Sequence, residues 1–361
     1  MIRLTQALWR LLRTRACLIL ALFPAFGCAV STGHYPTHAL APLSSQAVAT
    51  VRVPVADLRS QPNSIARPGV HDDLQETQLV FGEHVRIRGE QDGWVNVEAL
   101  EQPEFSHNQR WEGYPGWLQA FALDRHAILA TPTVVVINRW ARLRREPAES
   151  GALALVIKPL EMQVPMGTLL AAEFNASSVS DEWLVHLPNG ASAWVRRADV
   201  RTLQTAQAFS IQNKRAAILR SAEQLLGDPY YWGGRSPREA SIPTSGLDCS
   251  GLVGLAYRTV HHILPRDAHE QSMRAQPVSQ PQAADLVFLS AREDPKRIVH
   301  VMLAAGDDTL IEAPGTGFTV RKITAKERLG RPLSSIPFGA VINGQTITFG
   351  SFLAGEQNPP S

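Results

Sequence analysis

Cysteine is nearly absent from this sequence: among 361 residues only Cys17, Cys28 and Cys249 occur. Two of the three lie in the first 28 residues, so no intramolecular disulfide framework can staple the rest of the chain. Charge is sparse too, at 19% Asp, Glu, Lys and Arg with a formal net charge of +2, and no long basic run offers the electrostatic footprint of a nucleic-acid binder. Metal-ligand spacings such as H-E-x-x-H are missing, so the reading includes no metal and no cofactor. Beyond the N-terminal segment no apolar run is long enough to span a bilayer. What is present is a hydrophobic content of 44%, enough to bury cores in two or three domains.

The first 28 residues carry Arg3, Arg10, Arg13 and Arg15 ahead of an apolar stretch from Ala16 to Gly27. This is the layout of an export signal, too short for a convincing transmembrane span. It ends in Ala25-Phe26-Gly27-Cys28, which resembles a bacterial lipoprotein box and implies lipidation of Cys28, with residues 29–49 as a linker. The expectation is an exported chain, lipid-anchored on the periplasmic side of the envelope or otherwise periplasmic or secreted. Membrane contact is expected only through that anchor, which leaves Cys249 as a lone thiol in an oxidising compartment. Such a thiol is either a catalytic nucleophile or a buried small hydrophobe, and thiol count alone does not decide.

From Leu40 to about Leu203 short β-rich runs alternate with turn residues, as in VATVRVPVADLRSQPN and HVRIRGEQDGWVNVEAL. Apolar alternation with this punctuation predicts small β-barrels. A looser second copy follows in VVVINRWARLRREP, DEWLVHLPNG and SAWVRRADV. The shared pattern resembles the bacterial SH3-like domain, present twice, at 50–125 and 131–202, with Trp94, Trp117, Trp183 and Trp194 as core or strand-packing aromatics. After Arg201 a helical period sets in over 206–226, placing Ala217, Leu219, Ala222, Leu225 and Leu226 on one face, and Gly227-Asp228-Pro229 ends it. A Gly-rich loop, the Cys249 segment and strands near 285–290, 298–305 and 308–313 come next. Helices first and an antiparallel sheet afterwards predict an α+β domain over 205–345. Residues 346–361 read as a tail.

In SGLDCSGLVGLAYRTV, Leu252, Val253, Leu255, Ala256 and Val260 give a helical apolar pattern, and Ser245 to Asp248 supply turn and capping residues. Cys249 is thus expected at a helix N-terminus, where unpaired N–H groups and the dipole favour a thiolate and can donate to an oxyanion. Of the 11 histidines, His300 alone interrupts an apolar run, in RIVHVMLAAGDDTLIEAPG. A hairpin centred on Gly306 sets it directly opposite Glu312, which supplies the third group that a Cys–His pair requires. A satisfied structural His–Glu pair is the bland alternative.

The blocks GDPYYWGGRSP, LDCSGLV, LPRDAHEQ, ADLVFL and VHVMLAAGDDTLIEA, in this order, resemble the NlpC family of papain-like cell-wall peptidases. The resemblance implies a papain-like α+β catalytic domain preceded by the two SH3-like barrels, with Cys249 as nucleophile, His300 as base and Glu312 in the orienting position. It also implies hydrolysis of γ-D-glutamyl bonds in peptidoglycan-derived peptides. Tyr230 matches a loop tyrosine that reaches the cysteine. Three features depart from the pattern: Glu312 stands where a second histidine or an amide is commoner, Ala284 replaces a glycine, and the loop from Arg238 to Gly246 is longer. QETQLVFGEHV and WEGYPGWLQ resemble a subgroup whose first SH3-like domain closes one side of the cleft. That likeness implies that Glu83, Tyr114 and Asp248 hold the free amine of an N-terminal L-alanine, with Ser250 contacting the peptide. An endopeptidase or amidase acting on intact peptidoglycan, a non-catalytic wall-binding protein and an acyltransferase are the alternatives.

Overall fold

Strand formation in the first part of the chain follows from its two-residue turns. In the computed structural model, Gln91 pairs with Trp94 across Asp92 and Gly93, both with positive φ (48° and 81°), the mirror-image turn that an Asp-Gly pair favours and that suits strand twist. The model describes residues 47–62, 65–127, 130–144, 161–174 and 181–355. The expected export segment, Cys28 and most of the expected 29–49 linker lie outside the described residues.

Seven antiparallel strands between Val48 and Asp124 form one sheet, closed around Val51, Leu58, Leu79, Val85, Val97 and Leu118. A second strand-rich unit runs from Val134 to Thr202, with a separate core of Val134, Val136, Leu143, Val164, Val185 and Val195. Each core is built from alternate residues of its strands, the period-2 pattern visible in the sequence.

The remainder is helices packed on an antiparallel sheet. Its strand order is Gln276–Pro277, Gln345–Ser351, Leu286–Ser290, Ile298–Gly306, Thr309–Glu312 and Arg321–Thr324. Both faces are covered. Leu286, Phe288, Val301 and Leu303 face the helices Ile211–Glu223 and Cys249–Arg258, whereas Val287, Leu289, Met302 and Ala304 pack with Ala325, Leu329 and Ile336. Burial on both faces explains why Leu286-Val287-Phe288-Leu289 reads as a continuous apolar run.

Two sequence expectations are corrected. The helix expected over 206–226 is two, Leu203–Gln207 and Ile211–Glu223, because Ser210 adopts an extended conformation and its hydroxyl caps the second by accepting from the Asn213 N–H. The boundary at 345 and the tail from 346 are also wrong. Gln345–Ser351 is an inner strand, hydrogen-bonded to Leu286–Ser290 on one side and to Gln276–Pro277 on the other, and it buries Ile347 and Phe349. An Asn343-Gly344 turn with both φ positive leads into it. Its polar alternation, QTITFGS, hides an inner position. A chain ending at residue 344 should therefore lose its cooperative thermal transition, and the milder Phe349→Ala should cost about 3–5 kcal/mol in urea unfolding.

Candidate active site

Cys249 opens the helix Cys249–Arg258, and Asp248 caps it by accepting the Gly251 N–H at 2.6 Å. Gly251 has no room for a side chain, since a Cβ there would stand 2.1 Å from the Gly234 carbonyl oxygen. Close approach of the Gly-rich loop thus fixes the start of the helix, and the Asp248 N–H donates to Gly234 O at 3.2 Å. Cys249 is half-buried, a free thiol against the helix-side core. The first-turn N–H groups of such a helix are those that can donate to a carbonyl oxygen gaining negative charge.

His300 donates from Nε2 to Glu312 Oε2 at 2.9 Å, which leaves Nδ1 for the sulfur of Cys249. The expected contact is present, but the expected register is not. Leu303 pairs with Ile311 and Ala304 with Leu310, and a bulge before Gly306 shifts the hairpin. His300 therefore sits diagonally from Glu312 rather than opposite it, a separation that a long carboxylate side chain can bridge. Its direct partner on the other side is Leu289. Burial is the strongest influence on the His300 pKa and acts to lower it, but the Cys249 sulfur and the Glu312 carboxylate outweigh it and push the value up to about 9. Glu312 is fully buried. Burial alone would raise its pKa, yet His300, Arg321 and Arg328 hold it down to about 2.

Cys249 lies in a groove of about 600 Å³ shared between the first strand-rich unit and the helical part. Tyr114, Glu76 and Asp267 line one end, where the Tyr114 hydroxyl donates to Asp267 Oδ2 at 3.0 Å and lies 3.3 Å from Glu76 Oε2. Burial, with Glu270 and Asp248 nearby, pushes the Asp267 carboxyl up to about 6 against the pull of Arg266. Tyr230 also lines the groove; burial, together with the neighbouring Asp248 and Cys249, pushes its phenol pKa upward, so it stays a proton donor.

Of the residues expected to hold an amine, Tyr114, Asp248 and Ser250 line the groove and Glu83 does not. Tyr114 is in place. Glu83 is not in the groove: it is buried in ion pairs with Arg235 at 3.1 Å and Arg258 at 3.3 Å. Burial opposes its ionisation, but the two arginines keep its pKa below the ordinary value. Asp248 and Ser250 do line the groove, yet both are engaged by Arg266, whose Nη2 donates to Asp248 Oδ2 at 2.6 Å and Nη1 to Ser250 Oγ at 2.9 Å. Glu76 and Asp267 were missed, although each falls inside a quoted block, QETQLVF and LPRDAHEQ. Glu76 lies on the strand Gln75–Val80 and Glu83 in the turn after it, and only the fold shows which of the two meets the groove.

A thiol at a helix N-terminus, an imidazole beside it and a carboxylate behind the imidazole, in an open groove, define a cysteine peptidase. Residues 227–329 match the NlpC/P60 family, so the chain carries an NlpC/P60 domain. It is similar to the gamma-D-glutamyl-L-lysine dipeptidyl-peptidase of Bacillus subtilis (strain 168), 29% identical over 267 residues that cover 72% of this chain and 78% of that protein. The protein of the same name from Bacillus cereus (strain ATCC 10987) is 29% identical over 66% of this chain and 67% of its own length. The crystal structure of an NlpC/P60 family protein from Bacillus cereus ATCC 10987 superposes with a TM-score of 0.60 at 25% identity, covering 77% of this chain and 94% of that one.

A histidine with its pKa raised to about 9 keeps its proton through neutral pH; the interaction is complete below the ordinary 6.5 and is lost as pH rises through 9. At pH 6.5, Cys249 should react with iodoacetamide about tenfold or more faster in the parent than in His300→Ala, which lacks the imidazolium that favours a thiolate. Equal rates at pH 6.5, read by mass spectrometry, would remove the ion pair.

Proposed function

We propose that this chain is an exported cysteine endopeptidase that hydrolyses the γ-D-glutamyl bond to the diamino acid in peptidoglycan stem peptides bearing a free N-terminal L-alanine. The observation that carries this reading is the cluster of Glu76, Tyr114 and Asp267 lining the same groove as Cys249. Two carboxylates and a phenol in a partly buried site suit an ammonium group, whose charge would be costly to bury elsewhere. The particular peptide follows from the relatives: two of them are named for a γ-D-glutamyl-L-lysine dipeptidyl-peptidase activity.

In the proposed reaction the Cys249 thiolate attacks the γ-carbonyl carbon and the oxygen takes up negative charge at the helix N-terminus. As the tetrahedral intermediate collapses the C–N bond breaks, and His300 gives its proton to the leaving amine. His300 then takes a proton from water, hydroxide adds to the thioester, the C–S bond breaks, and the acid product leaves with the thiolate restored. Glu312 orients the imidazole throughout.

We read the two strand-rich units as SH3-like domains, the first of which supplies one wall of the groove. Lipidation at Cys28 belongs to the same proposal. Among the described residues no helix is long and apolar enough to cross a membrane.

L-Ala-γ-D-Glu-diaminopimelate and its N-acetylated twin, followed by mass spectrometry, test the reading. The free-amine peptide alone should be cut by the parent, and Cys249→Ala should abolish cleavage. Glu76→Gln should raise KM about tenfold or more with a smaller change in kcat, the signature of a lost binding contact. Equal cleavage of both peptides would retain the nucleophile and eliminate the amine site.

A further inference from the structure

Glu312 carries more partners than orientation of an imidazole needs. Its Oε1 accepts from Arg321 Nε at 3.0 Å, from Arg321 Nη2 at 2.6 Å and from Arg328 Nε at 3.1 Å. Its Oε2 accepts from Arg328 Nε at 2.9 Å and from His300 Nε2 at 2.9 Å. One buried carboxylate therefore faces two guanidinium groups and the imidazole. Both arginines come from one short segment, RKITAKERLG. Arg321 is directly opposite Glu312 in the sheet. Arg328 follows on the helix Ala325–Leu329, which is fixed at its start by a reciprocal Thr324–Glu327 capping box and at its end by Gly330 with φ 84°.

A lone buried carboxylate next to His300 would do two things at once. It would fix the ring by a directional hydrogen bond, and its charge would stabilise the imidazolium. The first helps catalysis. Carried too far, the second hinders it, because an over-stabilised imidazolium is a poor proton donor to the leaving amine and the neutral ring forms too rarely to activate water. The arginines separate these effects, since guanidinium groups bound to the carboxylate oppose its field at the ring and leave the hydrogen bond intact.

We propose that Arg321 and Arg328 are positioning residues that compensate the charge of Glu312, so that this carboxylate orients His300 while stabilising its imidazolium less than an unpaired carboxylate would. Cys249 faces the ring from its own helix, with Asp248, Tyr230 and Arg266 around the sulfur. The helix Ala268–Arg274 brings His269, whose Nδ1 accepts from the Ile298 N–H at 3.3 Å, and the neighbouring strand sets the apolar Leu289 opposite His300. The inference rests on Cys249 and His300 being the reacting pair, as proposed above.

The full chain, Arg321→Gln, Arg328→Gln and Arg328→Lys should be compared in two profiles: the iodoacetamide reactivity of Cys249 against pH, and kcat/KM against pH for L-Ala-γ-D-Glu-diaminopimelate. Thermal melts check the fold of each variant. Removing either arginine takes a positive charge away from the pair and should move both the acid limb of alkylation and the basic limb of kcat/KM up, each by about half a unit or more. Turnover should fall about tenfold. Arg328→Lys keeps the charge and should keep the parent limbs. Folded variants whose turnover falls with both limbs unmoved would show a purely structural clamp and overturn the proposal. Should Arg328→Gln fail to fold, Arg321→Gln and the lysine variant decide by the same limbs. Should the parent fail to turn over the peptide while the alkylation limb still shifts, the substrate reading fails and the clamp stands.

Discussion

The buried guanidinium of Arg266 holds the site together. It is bound to the helix cap Asp248 and to Ser250 on the catalytic helix, and to the hydroxyl of Thr77 on the first strand-rich unit. Its backbone N–H donates to Pro103 O of the same unit at 2.9 Å. Burial works against the charge, yet the adjacent Asp248 and Asp267 raise its pKa well above normal, so it remains a cation. One residue thus joins the start of the Cys249 helix to the wall of the groove and sits next in sequence to Asp267. A buried charge of this kind is weak evidence for stability, because desolvation offsets much of the attraction, but it admits few alternative geometries.

The same logic runs along the rest of the seam between the two parts. Gln78 accepts from the Arg235 N–H at 2.9 Å and donates to Thr244 O at 2.8 Å, while Glu83 binds Arg235 and Arg258. Trp111 lies under the Arg274 guanidinium at 3.9 Å. The long loop between Arg238 and Gly246 takes part: its Thr244 hydroxyl donates to the half-buried Asp57 at 3.0 Å. A seam made of paired charges and satisfied hydrogen bonds positions the strand-rich unit as a fixed wall, and it accounts for Glu83 serving that seam instead of the groove.

Much of the chemistry was legible before any coordinates. Cys249 at a capped helix start followed from Asp248 and the apolar spacing behind it, and His300 stood out as the one histidine interrupting an apolar strand. The His300–Glu312 contact was reached by a register that the bulge near Gly306 invalidates; it holds because a glutamate is long enough to span the diagonal. The acids of the groove were not legible. Glu76 and Glu83 are seven residues apart on neighbouring stretches, and nothing in local pattern says which carboxylate a guanidinium will neutralise. The inner strand Gln345–Ser351 escaped notice for a related reason, since its alternating polar residues resemble an edge or a tail.

By itself the sequence determined the local features: turns at Asp92-Gly93 and Asn343-Gly344, strand alternation in two β-rich units, the capped helix that presents Cys249, and the type of chemistry a lone thiol and a strand histidine can perform. These follow from backbone preferences and from periodicity, which act over a few residues. Only the tertiary structure decided which charges are used against one another. Glu83 is neutralised by arginines 152 and 175 positions away, Glu76 and Asp267 meet across the groove, and Arg321 and Arg328 converge on Glu312. Electrostatic partnership depends on distance in space and on loss of solvent, and neither quantity is written in the order of the residues.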